Sequence, residues 1–251
     1  MHLGLVTYNL AADWDIEKII EVCEATGHEA VELRTTHAHG VEPELTEQQR
    51  HDVRRRFESS NVVLLGLGST CEYHSPDLVE LAAQKQSTME FIDLAQDIGA
   101  QGVKVRPNRL VEDVPVAQTL RQIGESLQEA GEYAETRGMK IWLEIHGQGT
   151  CEFPHPKTII EYVQSPAVSL CWNCNPADVV DGSIRENFRL VMDRIGLVHI
   201  HDLYDDYPYA ELIALLRSIG YEGYCMSETP GSDDAERVMQ YYAALWREMT
   251  R

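Results

Sequence analysis

KIWLEIHG (140–147), VSLCWN (168–173), LVHIHD (197–202) and GYCMSE (223–228) repeat one theme, a short apolar run that ends on a group able to hold a cation or a proton. The closing residues are Glu144, Asn173, His199 and Glu228. Runs of four to eight apolar residues bounded by turn formers are the signature of buried strands, because a helix of that length would not bury enough of itself. A charged group inside such a run is costly without a partner, so its recurrence at successive strand ends points to chemistry.

Four earlier runs share the pattern: HLGLVTY (2–8), AVELR (30–34), VVLLGLG (62–68) and GVKVR (102–106). Between the runs, apolar residues return at helical spacing over 15–26, 46–60, 77–98, 115–137, 156–164, 183–195, 209–219 and 233–249. Start signals include Thr46 with Gln49 and Ser183 with Glu186 as capping boxes, and Ser75-Pro76 as cap and first-turn proline. Gly27, Gly99, Gly138, Gly196 and Gly220 sit where helices should end. Eight strands alternating with eight helices predict a parallel sheet with helices outside. The count and the 251-residue length fit an α/β fold of the (β/α)8 TIM-barrel type, one domain over residues 1–251. An open doubly wound sheet is the alternative, but it normally carries a glycine-rich turn after the first strand, and YNLAADW (8–14) has no glycine.

Charge narrows the ligand. Acidic residues number 41 against 21 Lys and Arg, a formal charge of −20 that repels polyphosphates and anionic lipid. The chain is therefore expected to bind neither nucleic acid nor membrane. MHLGLVTYNL opens as a strand with no basic leader pattern, and a cytoplasmic location is expected. Six scattered cysteines suit reduced core thiols. Cys171 and Cys174 form a C-x-x-C that ends a strand and has no second pair, which argues against a zinc knuckle.

A barrel builds its active site at the carboxyl ends of its strands, where the four closing residues fall. Carboxylates and imidazole converging there suit one divalent cation, with Mn2+, Mg2+ or Co2+ preferred by oxygen ligands and Zn2+ also possible. Such a cation polarises a carbonyl while a carboxylate takes the adjacent C–H proton. By the period-two rule Glu144 and His146 share a face, as do His199 with His201 and Lys104 with Arg106. His146, Arg106 and His201 are the foremost candidates to touch substrate, followed by Lys104; Trp14 is placed to stack on a sugar face. Arg34, His37 and His39 lie at or beyond the second strand's end. Structural readings stand beside these: Lys104 as an ion pair with Glu144, His201 bonded to backbone, Asn173 capping a turn. Tyr241, Tyr242 and Trp246 on the last helix suit packing on the barrel or in a homo-oligomer interface.

The strand series, with Glu144 closing the fifth strand, Asn173 the sixth, His199-x-x-Asp202 the seventh and Ser227-Glu228 the eighth, resembles the xylose isomerase-like barrels identified as sugar phosphate isomerases and epimerases. That resemblance implies one metal held by Glu144, Asn173, His199 and Glu228, with Glu144 and Glu228 also exchanging a proton beside a sugar carbonyl. It has two departures. The family pattern Asp-x-x-His at the sixth strand is here Asn173-Cys174-Asn175-Pro176, which exchanges a carboxylate for an amide and removes a histidine. The expected function is metal-assisted isomerisation or epimerisation of a small sugar or keto-sugar. The alternatives are β-elimination from an oxidised (3-keto) glycoside, and a non-catalytic sugar-binding barrel with a decayed metal site. Without metal, the two glutamates would form an acid/base dyad. No glycine loop suited to phosphate is evident beyond Gly231-Ser232, which Asp233 and Asp234 follow, so an unphosphorylated sugar is expected.

Overall fold

Each apolar run of the sequence becomes one stave of a closed parallel barrel, and the computed structural model describes residues 1–251. The strands are β1 (His2–Val6), β2 (Ala30–Arg34), β3 (Val63–Glu72), β4 (Gly102–Arg106), β5 (Lys140–Glu144), β6 (Val168–Trp172), β7 (Ile195–Ile200) and β8 (Tyr224–Ser227). They follow one another in chain order, and β1 pairs with β8 through Leu3 opposite Cys225, so no sheet edge remains. Closure excludes the open doubly wound alternative. The helices are α1 (Ile16–Thr26), α2 (Glu47–Glu58), α3 (Leu78–Ile98), α4 (Val116–Arg137), α5 (His155–Glu161), α6 (Arg185–Val191), α7 (Tyr209–Ser218) and α8 (Ala235–Met249). None is long and apolar enough to cross a membrane.

Strand alternation splits the core in two. Val31, Leu33, Ile141 and Leu143 point outward into the large apolar cluster beneath the helices, while Ala30, Leu65, Trp142, Cys171, Leu197 and Met226 form a smaller cluster inside the barrel. The Trp142 indole is too large for that floor unless its neighbours shrink. Gly66 yields the room, since a Cβ there would sit 2.9 Å from the Trp142 ring. Gly196 does the same beside Ser169, whose Oγ a Cβ would approach to 2.1 Å.

Local signals fare unevenly. The Thr46 and Gln49 capping box forms as expected, and Gly27, Gly99 and Gly138 end helices in the left-handed conformation. The Ser183 box does not form: Ser183 Oγ turns to Glu211, and α6 begins two residues later and is followed by a short 3-10 turn. Gly196 consequently belongs to β7 instead of closing a helix. Asp77, not Ser75, caps α3 by accepting from Val79 N at 2.8 Å. The third strand runs on to Glu72, four residues beyond the expected end at Gly68, through an irregularity in its pairing with β4.

Candidate active site

Going up the barrel axis, each inward face changes character from apolar to ionised to open. On β5 the sequence is Trp142, Glu144, His146; on β7 it is Leu197, His199, His201; on β4 it is Gly102, Lys104, Arg106; on β2 it is Ala30, Glu32, Arg34. The middle residues form a buried ring, and the upper ones line a cavity of about 440 Å3 at the carboxyl ends of the strands.

Ion pairs tie the ring together. Lys104 Nζ donates to Glu144 Oε2 at 2.6 Å, with both side chains almost fully buried. Burial works to raise the Glu144 carboxyl, but Lys104, and after it His199 and His146, outweigh burial and hold it at about 2. Burial likewise works to lower Lys104, and Glu144 and Glu32 override it upward. The pair thus favours an ionised Glu144 carboxylate facing a Lys104 ammonium. The ion-pair reading of Lys104 holds, and Lys104 also lines the cavity.

His199 lies between two carboxylates. Its Nε2 is 3.0 Å from Glu32 Oε2, and its Nδ1 is 3.3 Å from Glu228 Oε2 but outside hydrogen-bond geometry. Burial opposes a charged ring here, yet Cys171, then Glu32 and Glu228, raise it well above its ordinary value. The adjacent Cys171 thiol, pushed up to about 11 by burial, stays neutral. Glu228 is also held below its ordinary value, because the His199 ring outweighs burial. Gly68 makes the Glu32 contact possible, as a Cβ there would lie 2.7 Å from Glu32 Oε1.

Donor atoms of Glu144, His199 and Glu228 all lie within 4.8 Å of one another. The Nδ1 of that same His199 and one further buried acceptor, Asn173 Oδ1, have no protein partner. Unsatisfied buried acceptors are rare, and two at one carboxylate cluster are the signature of a cation's place. A carboxylate on the far nitrogen of a ligating histidine fixes its tautomer and leaves the near nitrogen free for metal, the relation Glu32 bears to His199 Nδ1. Charge agrees once ligation displaces the second proton of His199: Glu32, Glu144 and Glu228 against Lys104 then leave two negative charges for a divalent cation to balance. The residues present therefore fit a divalent cation, even with an amide at position 173.

Around this ring, Arg34, Lys104, Arg106, His146, Asn173, Asn175, His201 and Glu228 all line the one cavity. His201 Nε2 stands 3.8 Å from Glu228 Oε2, and burial lowers its affinity for a proton despite that neighbour. His146 Nδ1 is buried without a partner. Trp14 lies elsewhere, in a neighbouring cavity with Asp233, Asp234 and Glu236. The aromatic ring at the main cavity is Tyr8, because the first loop turns at Asn9, a left-handed residue at φ 55°, and carries Trp14 away. His37 stacks near Tyr8 with centroids 6.5 Å apart, and His39 is buried on the Arg34 carbonyl at 2.9 Å, a structural role.

Sequence reasoning missed Glu32 and Glu72. Glu32 was visible as a charge in AVELR, by the same argument that selected Glu144. Glu72 binds Arg106 Nη2 and, through its other oxygen, Asn108 Nδ2 at 2.6 Å. No sequence signal marked it, since it lies beyond the expected end of its strand. All six cysteines are free thiols.

No curated protein matches this chain by sequence. Among solved structures, D-psicose 3-epimerase with D-tagatose from Clostridium cellulolyticum H10 superposes with a TM-score of 0.84 over 100% of both chains at 14% identity. The 3-keto-D-glucoside 4-epimerase from E. coli gives 0.80 over 99% of both chains at 13% identity. The IOLI protein with a bound zinc atom gives 0.82 over 100% of this chain and 96% of its own at 15% identity. At such identities these likenesses establish a shared fold. Residues 20–249 match the model of the xylose isomerase-like TIM barrel family, and the chain belongs to that family.

Proposed function

We propose that this protein is a divalent-metal-assisted isomerase or epimerase of a small sugar or keto-sugar. The observation that carries the reading is the pair of buried, unpartnered acceptors, Asn173 Oδ1 and His199 Nδ1, beside the carboxylates of Glu144 and Glu228. Those four residues would hold the cation, which when bound acidifies the carbon beside a coordinated carbonyl. Fold neighbours that are sugar 3-epimerases and a zinc-bound barrel support this reading.

The chain's own residues supply the proton traffic. Glu144 and Glu228 close β5 and β8, on different sides of the barrel mouth, so a substrate lying between them presents its reacting carbon to both. One ionised carboxylate accepts the C–H proton, and the other, after taking up a proton from solvent, returns it to the opposite face. Lys104, 2.6 Å from Glu144, holds that carboxylate ionised and ready to accept a proton. His201 and His146 line the cavity above the carboxylates, where imidazoles orient hydroxyl groups.

The test follows solvent deuterium into D-tagatose and D-fructose by NMR, with Mn2+-loaded protein. Glu144→Gln and Glu228→Gln should each abolish exchange while leaving the circular dichroism spectrum unchanged. Full exchange in both variants would sink the proposal.

One observation favours a second reading, elimination from a 3-keto-glycoside. His146 lies two residues beyond Glu144 on the same face and has a buried, unpartnered Nδ1, so a further acid is on hand to protonate a departing oxygen. Release of an aglycone identifies the lyase, and stereochemical inversion identifies the epimerase.

A further inference from the structure

The cavity has two electrically different walls. Glu228, Asp202 and Asp205 line one side, and Arg34 and Arg106, from the ends of β2 and β4, line another. Lys104 below them is spent on Glu144. Arg106 is held by Glu72, yet its Nε is buried with no partner.

Arg34 is the exception among these cations. Its hydrogen bond runs from Nη1 to the Thr35 carbonyl at 2.9 Å, and it forms no salt bridge, in a chain whose acidic residues outnumber basic ones 41 to 21. Its guanidinium lies 5.9 Å over the Tyr8 ring, which limits where the fork can point. Burial and then the charge of Arg106 lower its pKa against the more distant pull of Tyr8, Glu144 and Glu32, none of which reaches it as a hydrogen-bonded or salt-bridge partner. Two half-buried like charges held together at a cavity wall cost free energy unless an anion joins them.

We infer that the substrate carries a carboxylate, received by Arg34 with Arg106 beside it, while its carbonyl end lies at Glu144 and Glu228. A guanidinium fork matches a planar carboxylate in two parallel hydrogen bonds. Phosphate is disfavoured because Gly231-Ser232 lies in the neighbouring cavity among Asp233, Asp234 and Glu236. The cavity of about 440 Å3 suits a monosaccharide-sized acid, so the class is a keto-sugar acid. This inference rests on the proton-transfer reading above, and its test separates the two.

Calorimetry on the Mn2+-loaded protein would compare D-tagaturonate and D-fructuronate with D-tagatose and D-fructose, which differ only in the terminal carboxylate. The ketouronates should bind at least about tenfold tighter, and Arg34→Met should erase that preference, a loss of about tenfold to a hundredfold for the acids and little for the ketoses. Arg34→Lys should restore part of it, and a melting temperature near wild type for either variant shows that the barrel is intact. Equal binding of acid and ketose, or an acid preference indifferent to Arg34→Met, would overturn the inference. Tighter binding of D-fructose 6-phosphate than of either ketouronate would also overturn it, in favour of phosphate. Deuterium exchange in the same samples reports on the other reading: Arg34-dependent ketouronate binding without exchange removes proton transfer and keeps the carboxylate site. Exchange into ketoses without that dependence does the reverse.

Discussion

Glu32 never reaches the cavity, yet it decides which nitrogen His199 offers. By accepting from Nε2–H at 3.0 Å it leaves Nδ1 toward Glu228, and its own position depends on the missing side chain of Gly68. Glu32→Gln keeps the shape but presents an amide that is free to donate as well as accept, so the tautomer is no longer enforced. Metal affinity should fall by about ten- to a hundredfold, as it does when such carboxylates are removed, with the fold retained. Titration of Mn2+ followed by electron paramagnetic resonance measures this. Unchanged affinity would make Glu32 only a counter-charge. The same residue shows what sequence allows: a charged group amid AVELR is as conspicuous as one amid KIWLEIHG, but it lies mid-strand, short of the strand end where a barrel builds its site.

At the scale of elements, the connection after β6 holds Asn173 and Asn175 at the cavity. Asn175 Nδ2 donates to the Ile145 carbonyl at 2.6 Å, and its backbone N–H donates to Asp178 Oδ2 at 2.7 Å. Tyr207 donates to the same Asp178 oxygen at 2.9 Å and accepts from Trp172 Nε1. Asp178 Oδ1 is left buried without a partner. Burial raises this carboxyl from 3.8 to about 7, against the pull of Tyr207 and Asn175. The folded state therefore keeps a proton that the unfolded chain releases near pH 4, and the contribution of Asp178 to stability falls as pH rises from about 4 to 7. Asp178→Asn should flatten that decline and raise stability at pH 8 by an amount on the order of 3 kcal/mol or less. Urea unfolding at pH 5 and pH 8 checks both statements. A difference between wild type and Asp178→Asn that does not change from pH 5 to pH 8 would show that Asp178 is ionised at no cost.

Element ends were also where sequence and structure parted. Thr46 with Gln49 forms its box because nothing competes for either side chain, whereas Ser183 is drawn to Glu211 on α7, a partner 28 residues away that no local pattern shows. Glu72 was hidden because Gly68-Ser69-Thr70 has the composition of a turn but continues as strand. Trp14 was placed by proximity in sequence to the first strand's end. The left-handed turn at Asn9 that removes it is a backbone fact with no side-chain signature.

The whole molecule rests on a division of the barrel interior into floor and site. Trp142, fully buried among Gly66, Gly196 and Ser169, closes the lower half and keeps water from reaching the ionised ring from beneath. Trp142→Ala would leave a cavity that glycine neighbours cannot collapse into, at a cost of about 3–5 kcal/mol. Thermal unfolding should register it as a clear fall in melting temperature, while a shift within error would mean that the floor relaxes around the gap. The eight-fold alternation made this architecture legible from spacing alone, because a barrel repeats its signal in every stave. Which large side chain filled the floor was not legible, since it depends on which glycines face it.

Pairing of β1 with β8 has a further consequence on the timescale of synthesis. A ribosome makes the first strand at the start, and that strand must wait unpartnered on one side until Tyr224–Ser227 emerges to cover it. The same last strand delivers Glu228, so no nascent intermediate can close its wall without also completing its carboxylate pair. One short segment of chain thus carries both the last seam of the wall and the carboxylate that stands beside Glu144 and His199.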